Sequence, residues 1–165
     1  MVDKSYAIID TGQKGAMILY DDLGPVEGFV FKKVGHGVNL HDIDEKLKQW
    51  KPNKIYVERI GVRPLQGARQ TATQFLVVGQ CYALCELNCS EVEYIYPQTW
   101  TAFTKRLVKN SHQPSKDIAQ ELTRRYYPSF AQQYFKRKLY HDGIADCLAI
   151  NLYIQRDIYL EDILK

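Results

Sequence analysis

No apolar run in this sequence approaches the roughly 20 residues that a bilayer-spanning helix needs, so no membrane-embedded segment is expected. No basic stretch near residue 1 leads into a short apolar one, and secretion is not expected. Internal repeats and low-complexity tracts are absent too. At 165 residues, the expectation is one domain spanning 1–165, long enough to bury a core without staples. Cysteine is scarce, with four: Cys81, Cys85, Cys89 and Cys147. The first three recur every fourth residue and would form one loose stripe on a helix. Zinc sites more often use a two-residue gap and a second ligand pair, so small buried apolar side chains are the ordinary reading. Free thiols suit a reducing, cytosolic setting.

What the chain does carry is an uneven charge. The formal net charge is only +3, yet residues 100–138 hold nine Lys or Arg against Asp117 and Glu121. Such asymmetry has two readings: a face that meets a polyanion, or a solvated helical surface.

The apolar pattern places the elements. In "SYAIIDTGQKGAMILY" (5–20), Ala7 and Ile9 alternate as in a strand, and Met17 to Leu19 read as its partner. The two glycines of the link supply positive φ for a hairpin. "VEGFVFKKV" (26–34) reads as a third strand. A helix follows over 41–50, and a strand over 54–60 carries Glu58 near its end. Residues 61–70 form a loop. From 71 to 88 a long helix with few charges implies burial on several sides, in the core or a dimer interface. A strand over 91–97 leads into a helix beginning near Pro97. A further helix covers 114–128 with Ser115 as N-cap, and an apolar helix covers 141–157 with its acids at the N-terminal end. Three strands followed by β-α alternation predict an α/β fold, a mixed sheet flanked by helices. The first and fourth strands can then lie parallel and adjacent.

That topology gives Asp10 a second meaning. Beside glycine it is an ordinary turn former. With Glu58 ending a parallel neighbour, the two residues would share one sheet end, their backbones about 5 Å apart. They would raise each other's pKa unless a cation intervened. Asp142 and Asp146 are four residues apart, on one helical face. A dipole-complementing role accounts for Asp142 well. It accounts poorly for Asp146, inside the apolar "IADCLAI". Carboxylates from separated segments make an oxygen-rich site for hard divalent ions. Two such ions about 4 Å apart would serve phosphodiester cleavage, with the basic region holding the phosphate backbone.

Four segments together resemble the RuvC-type Holliday junction resolvases, especially the short phage-type members. "AIIDTGQKGAMILYD" resembles their opening strand-turn-strand. "IYVERIGVRPLQGARQTATQFLVVGQCYAL" resembles the strand ending in Glu, the loop and the long helix. "EVEYIYPQTWTAFTK" with "PSKDIAQEL" is similar to the segment leading into a Ser-Lys helix start, and "HDGIADCLAINLY" to the closing helix. The resemblance implies an RNase H-like fold with a five-stranded mixed sheet and a homodimer joined through the helix at about 71–88. It also implies paired symmetric nicking of four-way DNA junctions with two Mg²⁺ per site, Mn²⁺ substituting, in a reducing, DNA-containing compartment. Carried over by position, Asp10, Glu58 and Asp146 are metal ligands and catalytic acids. Many cellular members place an acid or His three residues before the last of these, where this chain has Gly143. Asp142 is chosen as the fourth group because a carboxylate suits Mg²⁺ and shares a face with Asp146. His141 is the alternative, binding water or the scissile phosphate.

Lys116, at a helix start that itself favours anions, is a phosphate contact on this reading. Lys105, Arg106, Lys136, Arg137 and Lys138 are further contacts of the same kind, and each has a solvated side chain as its plain alternative. Arg63 and Leu65, in the loop after Glu58, would touch the junction centre, or simply pack the loop. Two other functions share the pattern. An RNase H-like nuclease on flaps, other branched DNA or RNA–DNA hybrids would use the same acids, and a monomer would favour it. A non-catalytic junction-binding protein would lack one or more of them.

Overall fold

The computed structural model describes residues 5–12, 14–60, 67–108, 112–135 and 141–163. Strand β1 (Tyr6–Asp10) lies at the middle of the sheet, and its sequence says why. Ala7, Ile8 and Ile9 form an unbroken apolar run, each at most 1% exposed, as a strand covered on both faces requires. Strands β2 (Ala16–Asp21) and β3 (Gly24–Val30) continue it as antiparallel neighbours. On the other side β6 (Lys54–Glu58) and β7 (Val92–Ile95) pair parallel. The order β3-β2-β1-β6-β7 is the five-stranded mixed sheet expected from the sequence, with the first and fourth of its strands adjacent and parallel.

Alternate residues feed two cores. Ala7, Ile9, Met17, Ile55 and Val57 face the layer formed by α1 (Leu40–Trp50) and α2 (Ala68–Asn88). Cys81, Cys85 and Cys89 pack in that core as buried apolar side chains. Ile8, Ile18 and Tyr20 face α6 (Asp142–Ile154), with α3 (Pro97–Thr104), α4 (Ser115–Tyr126) and α5 (Pro128–Tyr134) beyond it. Ile144, Leu148, Ile150 and Leu152 are all 0% exposed. At about 1.5–3 kcal/mol for each such side chain, burial anchors α6 to the sheet. Asn151, itself buried, accepts from the Tyr6 hydroxyl at 2.7 Å and donates to that of Tyr127 at 2.8 Å, which fixes the helix at its far end.

Several boundaries differ from the sequence reading. The third strand ends at Val30 rather than 34, because Phe31 turns into the core and its N–H bonds Gly15 O at 3.0 Å. The following residues make a small hairpin of β4 (Lys33–Val34) and β5 (Gly37–Val38) around Gly35, whose φ is +57°. Ser115 is the first residue of α4 rather than its cap; Pro114 takes the cap position without a side-chain bond. Pro128 ends that helix and opens α5. The last helix is divided at Gln155, with α7 (Arg156–Ile163) after it. Helix α2 begins three residues early, and the chain's own core covers only part of it, which leaves the dimer-interface reading of its low charge open. Val77, Val78, Cys81 and Cys85 are buried, while Phe75, Leu76 and Leu87 are 39%, 63% and 81% exposed.

No helix among the described residues is long and apolar enough to cross a membrane.

Candidate active site

Two parallel strands of this sheet both end in an acid. Ile9 pairs with Val57, so Asp10 and Glu58 come next, side by side, at the carboxyl edge. In open α/β sheets that edge is where ligands bind. Asp10 and Glu58 are only 9% and 8% exposed. Asp10 forms the turn and lines a cleft as well. Gly12 N–H donates to Asp10 Oδ1 at 3.2 Å, an Asx turn, while the carboxyl itself lines a cleft.

The turn is tight for a reason other than the one expected. Among the described residues positive φ occurs at Gly24, Gly35 and Lys51, not at Gly12 or Gly15. Gly15 is needed for close approach: a Cβ there would collide with Asp10 O, and would meet Gly12 O at 2.7 Å and the Phe31 ring at 2.9 Å.

Helix α6 brings its N-terminal end against this turn. A Cβ at Gly143 would stand 2.8 Å from Lys14 O and 2.9 Å from Ala16 N. Glycine at 143 therefore lets α6 sit directly on the turn, and the neighbouring acids reach the same cleft. The cleft has a volume of about 520 Å³, and Asp10, Glu58, Asp142 and Asp146 all line it.

The charges are mutually unfavourable. Burial pushes the Asp10 pKa well above the usual carboxylate range, and the charges of Glu58 and Asp146 push it further. A hydrogen bond with Glu58 adds to the rise, and the Gly12 N–H opposes it. Asp142 is held differently: its Oδ2 pairs with Lys116 Nζ at 2.5 Å. Among the described residues no three His, Cys, Asp or Glu side chains converge at ligating geometry. The donor set nonetheless fits a hard divalent cation. It is all oxygen, and burial with the neighbouring carboxylates disfavours the charged form of Asp10, which a bound cation would offset.

His141 occupies the N-cap position of α6 without a side-chain cap bond. Its Nδ1 is buried with no hydrogen-bond partner among the described residues. Burial holds its pKa below the usual value, Asp142 raises it and Lys14 lowers it.

Of the basic residues expected at the substrate, Lys116 lines the cleft, as does the preceding Ser115. Lys105 and Arg106 are exposed just beyond α3 and do not line it. Arg63, Leu65, Lys136, Arg137 and Lys138 lie outside the described residues. Sequence reasoning missed Lys14, Gln74, Gln98 and Trp100, which all line the cleft. It also missed the Arg59 guanidinium stacked 5.0 Å from the Tyr96 ring beside Glu58. Lys14 was findable, sitting in the turn after Asp10. Trp100 was not: its indole N–H donates to Glu58 Oε1 at 2.9 Å across 42 residues of sequence.

No family model matches the sequence, and no curated protein matches it. Solved structures do match in fold. The chain is similar to T. thermophilus RuvC in complex with a Holliday junction substrate, with a TM-score of 0.56, 13% identity and 95% of each chain covered. A second Thermus thermophilus RuvC structure gives a TM-score of 0.55 at 17% identity, again over 95% of each chain. The architecture is that of RuvC, an RNase H-like fold, as the sequence resemblance implied.

Proposed function

We propose that this chain is a divalent-metal-dependent endonuclease that resolves four-way DNA junctions by paired symmetric nicks. The observation that carries the reading is the meeting of Asp10, Glu58 and Asp146 in one electrostatically strained cleft, at the carboxyl edge of a sheet shared with RuvC.

Asp10, Glu58, Asp142 and Asp146 are the residues that would hold two Mg²⁺, or Mn²⁺ in their place. Bound there, the ions would supply an activated water and charge stabilisation for the leaving oxygen. The chain's own side chains do the rest. Lys116 and Lys14 present positive charge at the cleft mouth, where a phosphodiester would enter. An ion pair as exposed as Lys116–Asp142, at 64% and 28%, contributes only about 0–1 kcal/mol. A phosphate can therefore take Lys116 from it and release Asp142 to the other acids.

A junction cutter needs two sites on opposed strands, and the exposed apolar face of α2 supports a second copy as the partner. Phe75, Leu76 and Leu87 stand on it, and nothing lies within 4 Å of a Cβ placed at Gly79. The four free, buried cysteines suit a reducing compartment that holds DNA.

The test is a cleavage assay on labelled four-way junction, linear duplex, flap and RNA–DNA hybrid, with Mg²⁺ and with chelator, alongside sedimentation of the free protein. The reading predicts a dimer that nicks the junction in preference to the others, only with the cation. Equal cutting of the hybrid by a monomer would replace it with the broader nuclease reading.

Lys116→Ala is expected to weaken junction binding uniformly across sequences and to lower the slope of log affinity against log salt by about 1. Binding measured in Ca²⁺ at several salt concentrations checks this. An unchanged slope would remove Lys116 from the phosphate contacts.

A further inference from the structure

The acid chemistry gives no task to the Arg59 guanidinium that lies against the Tyr96 ring, 5.0 Å from its centroid. Both residues are held by the ends of the parallel strands. Arg59 follows Glu58, and its backbone N–H donates to Ile95 O at 2.8 Å, continuing the β6–β7 ladder by one bond. The Ile60 N–H then donates to the Tyr82 hydroxyl at 3.3 Å. Tyr96 follows Ile95 as the N-cap residue of α3. Its carbonyl accepts from the Thr99 hydroxyl at 2.6 Å and from the Thr99 N–H at 3.0 Å. The backbone is thus fixed on both sides of the pair, and Arg59 Nη1 donates to the Tyr96 hydroxyl at 2.6 Å.

This stack is rigid, yet much of it stands in water. Tyr96 is 48% exposed, and Arg59 is exposed as well. A guanidinium has five N–H donors, and among the described residues no carboxylate pairs with this one. Glu58, Ile60 and Pro97 line the cleft, so the pair stands at its rim, one residue from lining residues on both segments. What fits such a surface is a flat π-system with negative charge close by. Nucleobases stack on aromatic rings and on guanidinium planes alike, and every base offers a face. Inside a continuous duplex those faces are covered by the neighbouring bases.

We propose that Arg59 and Tyr96 form a stacking platform for an unstacked nucleobase beside the phosphodiester in the cleft. The inference rests on the nuclease reading given above and deepens it: the platform favours DNA with a base free to leave its stack over continuous duplex, and it does so without reading sequence.

The test uses the full chain in Ca²⁺ with junctions carrying 5-iodouracil at single positions around the exchange point. Irradiation should join the DNA to the peptide that contains Tyr96, located by mass spectrometry, and the same probe in linear duplex should not reach it. In parallel, Tyr96→Ala should weaken junction binding by about tenfold. It should leave duplex binding unchanged, and also the slope of log affinity against log salt, because a base rather than a phosphate is lost. Tyr96→Phe keeps the ring and should retain most of the affinity.

The failures are separable. A parent protein that neither binds nor nicks the junction would overturn the nuclease reading and the platform with it. A parent that nicks the junction, with crosslinks confined to other peptides or with Tyr96→Ala binding junction as the parent does, would overturn the platform alone. Equal losses on junction and duplex with a lower salt slope would make the pair a phosphate contact and overturn it too. The crosslinking arm needs no variant, so a poorly folded Tyr96→Ala leaves the proposal open to refutation.

Discussion

Asp10→Asn is expected to abolish junction cleavage, by on the order of 10³-fold or more, while the protein stays folded and binds junction in Ca²⁺. Asp10 ends the central strand, buried and crowded by Glu58 and Asp146. Its charged form is disfavoured there, a cation would offset that, and the neutral amide removes the charge that would draw one. The same substitution should raise the thermal midpoint of the cation-free protein near pH 8. The sign follows from the raised pKa. A carboxyl with a folded pKa above its unfolded value adds stability at low pH, and that stability is lost as pH rises through the folded value. Asp10→Asn removes the loss, so parent and variant should converge toward acid pH and separate toward alkaline pH. MgCl₂ should stabilise the parent more at pH 8 than at pH 5, and the variant little at either. Loss of junction binding in the variant would count against assigning Asp10 to chemistry rather than to binding.

Gly143→Ala is expected to lower both stability and activity, although position 143 makes no chemical contact in this account. The added methyl would meet the backbone of Lys14 and Ala16 at 2.8 and 2.9 Å, and no flexible side chain is there to give way. Helix α6 must then lift off the turn. Overpacking of this kind costs about 1–3 kcal/mol. A shift of about 1 Å in Asp142 and Asp146 relative to Asp10 and Glu58 would cost on the order of 10²-fold in rate. Thermal denaturation and cleavage rates measured on the same preparation check both. A variant with parental stability and rate would mean that the close packing of α6 on the turn does not position the acids.

The same position shows what a sequence can disclose. The strand ends at Asp10 and Glu58 were legible because a short apolar run interrupted by an acid is a local signal. Asp146 was legible because an acid inside "IADCLAI" is costly to bury without a partner. That the residue three before it is glycine was visible; that it is pressed against the β1–β2 turn was not, since the two segments are about 130 residues apart. The Lys116–Asp142 pair and the Trp100–Glu58 bond were hidden for the same reason, spanning 26 and 42 residues between different elements. The third strand was read too long because Phe31 suits a strand and a core equally, and tertiary packing chose the core. The low charge of the long helix fits burial by the chain and burial by a partner alike, so its local pattern does not say which.

The central claim is that carboxylates from β1, β6 and α6 gather around divalent cations. Its most direct test is an anomalous difference map from crystals soaked in MnCl₂. The account predicts density bounded by Asp10, Glu58 and Asp146, and its loss in Asp10→Asn crystals. Mn²⁺ bound elsewhere on the molecule, with none in this cleft, would contradict it.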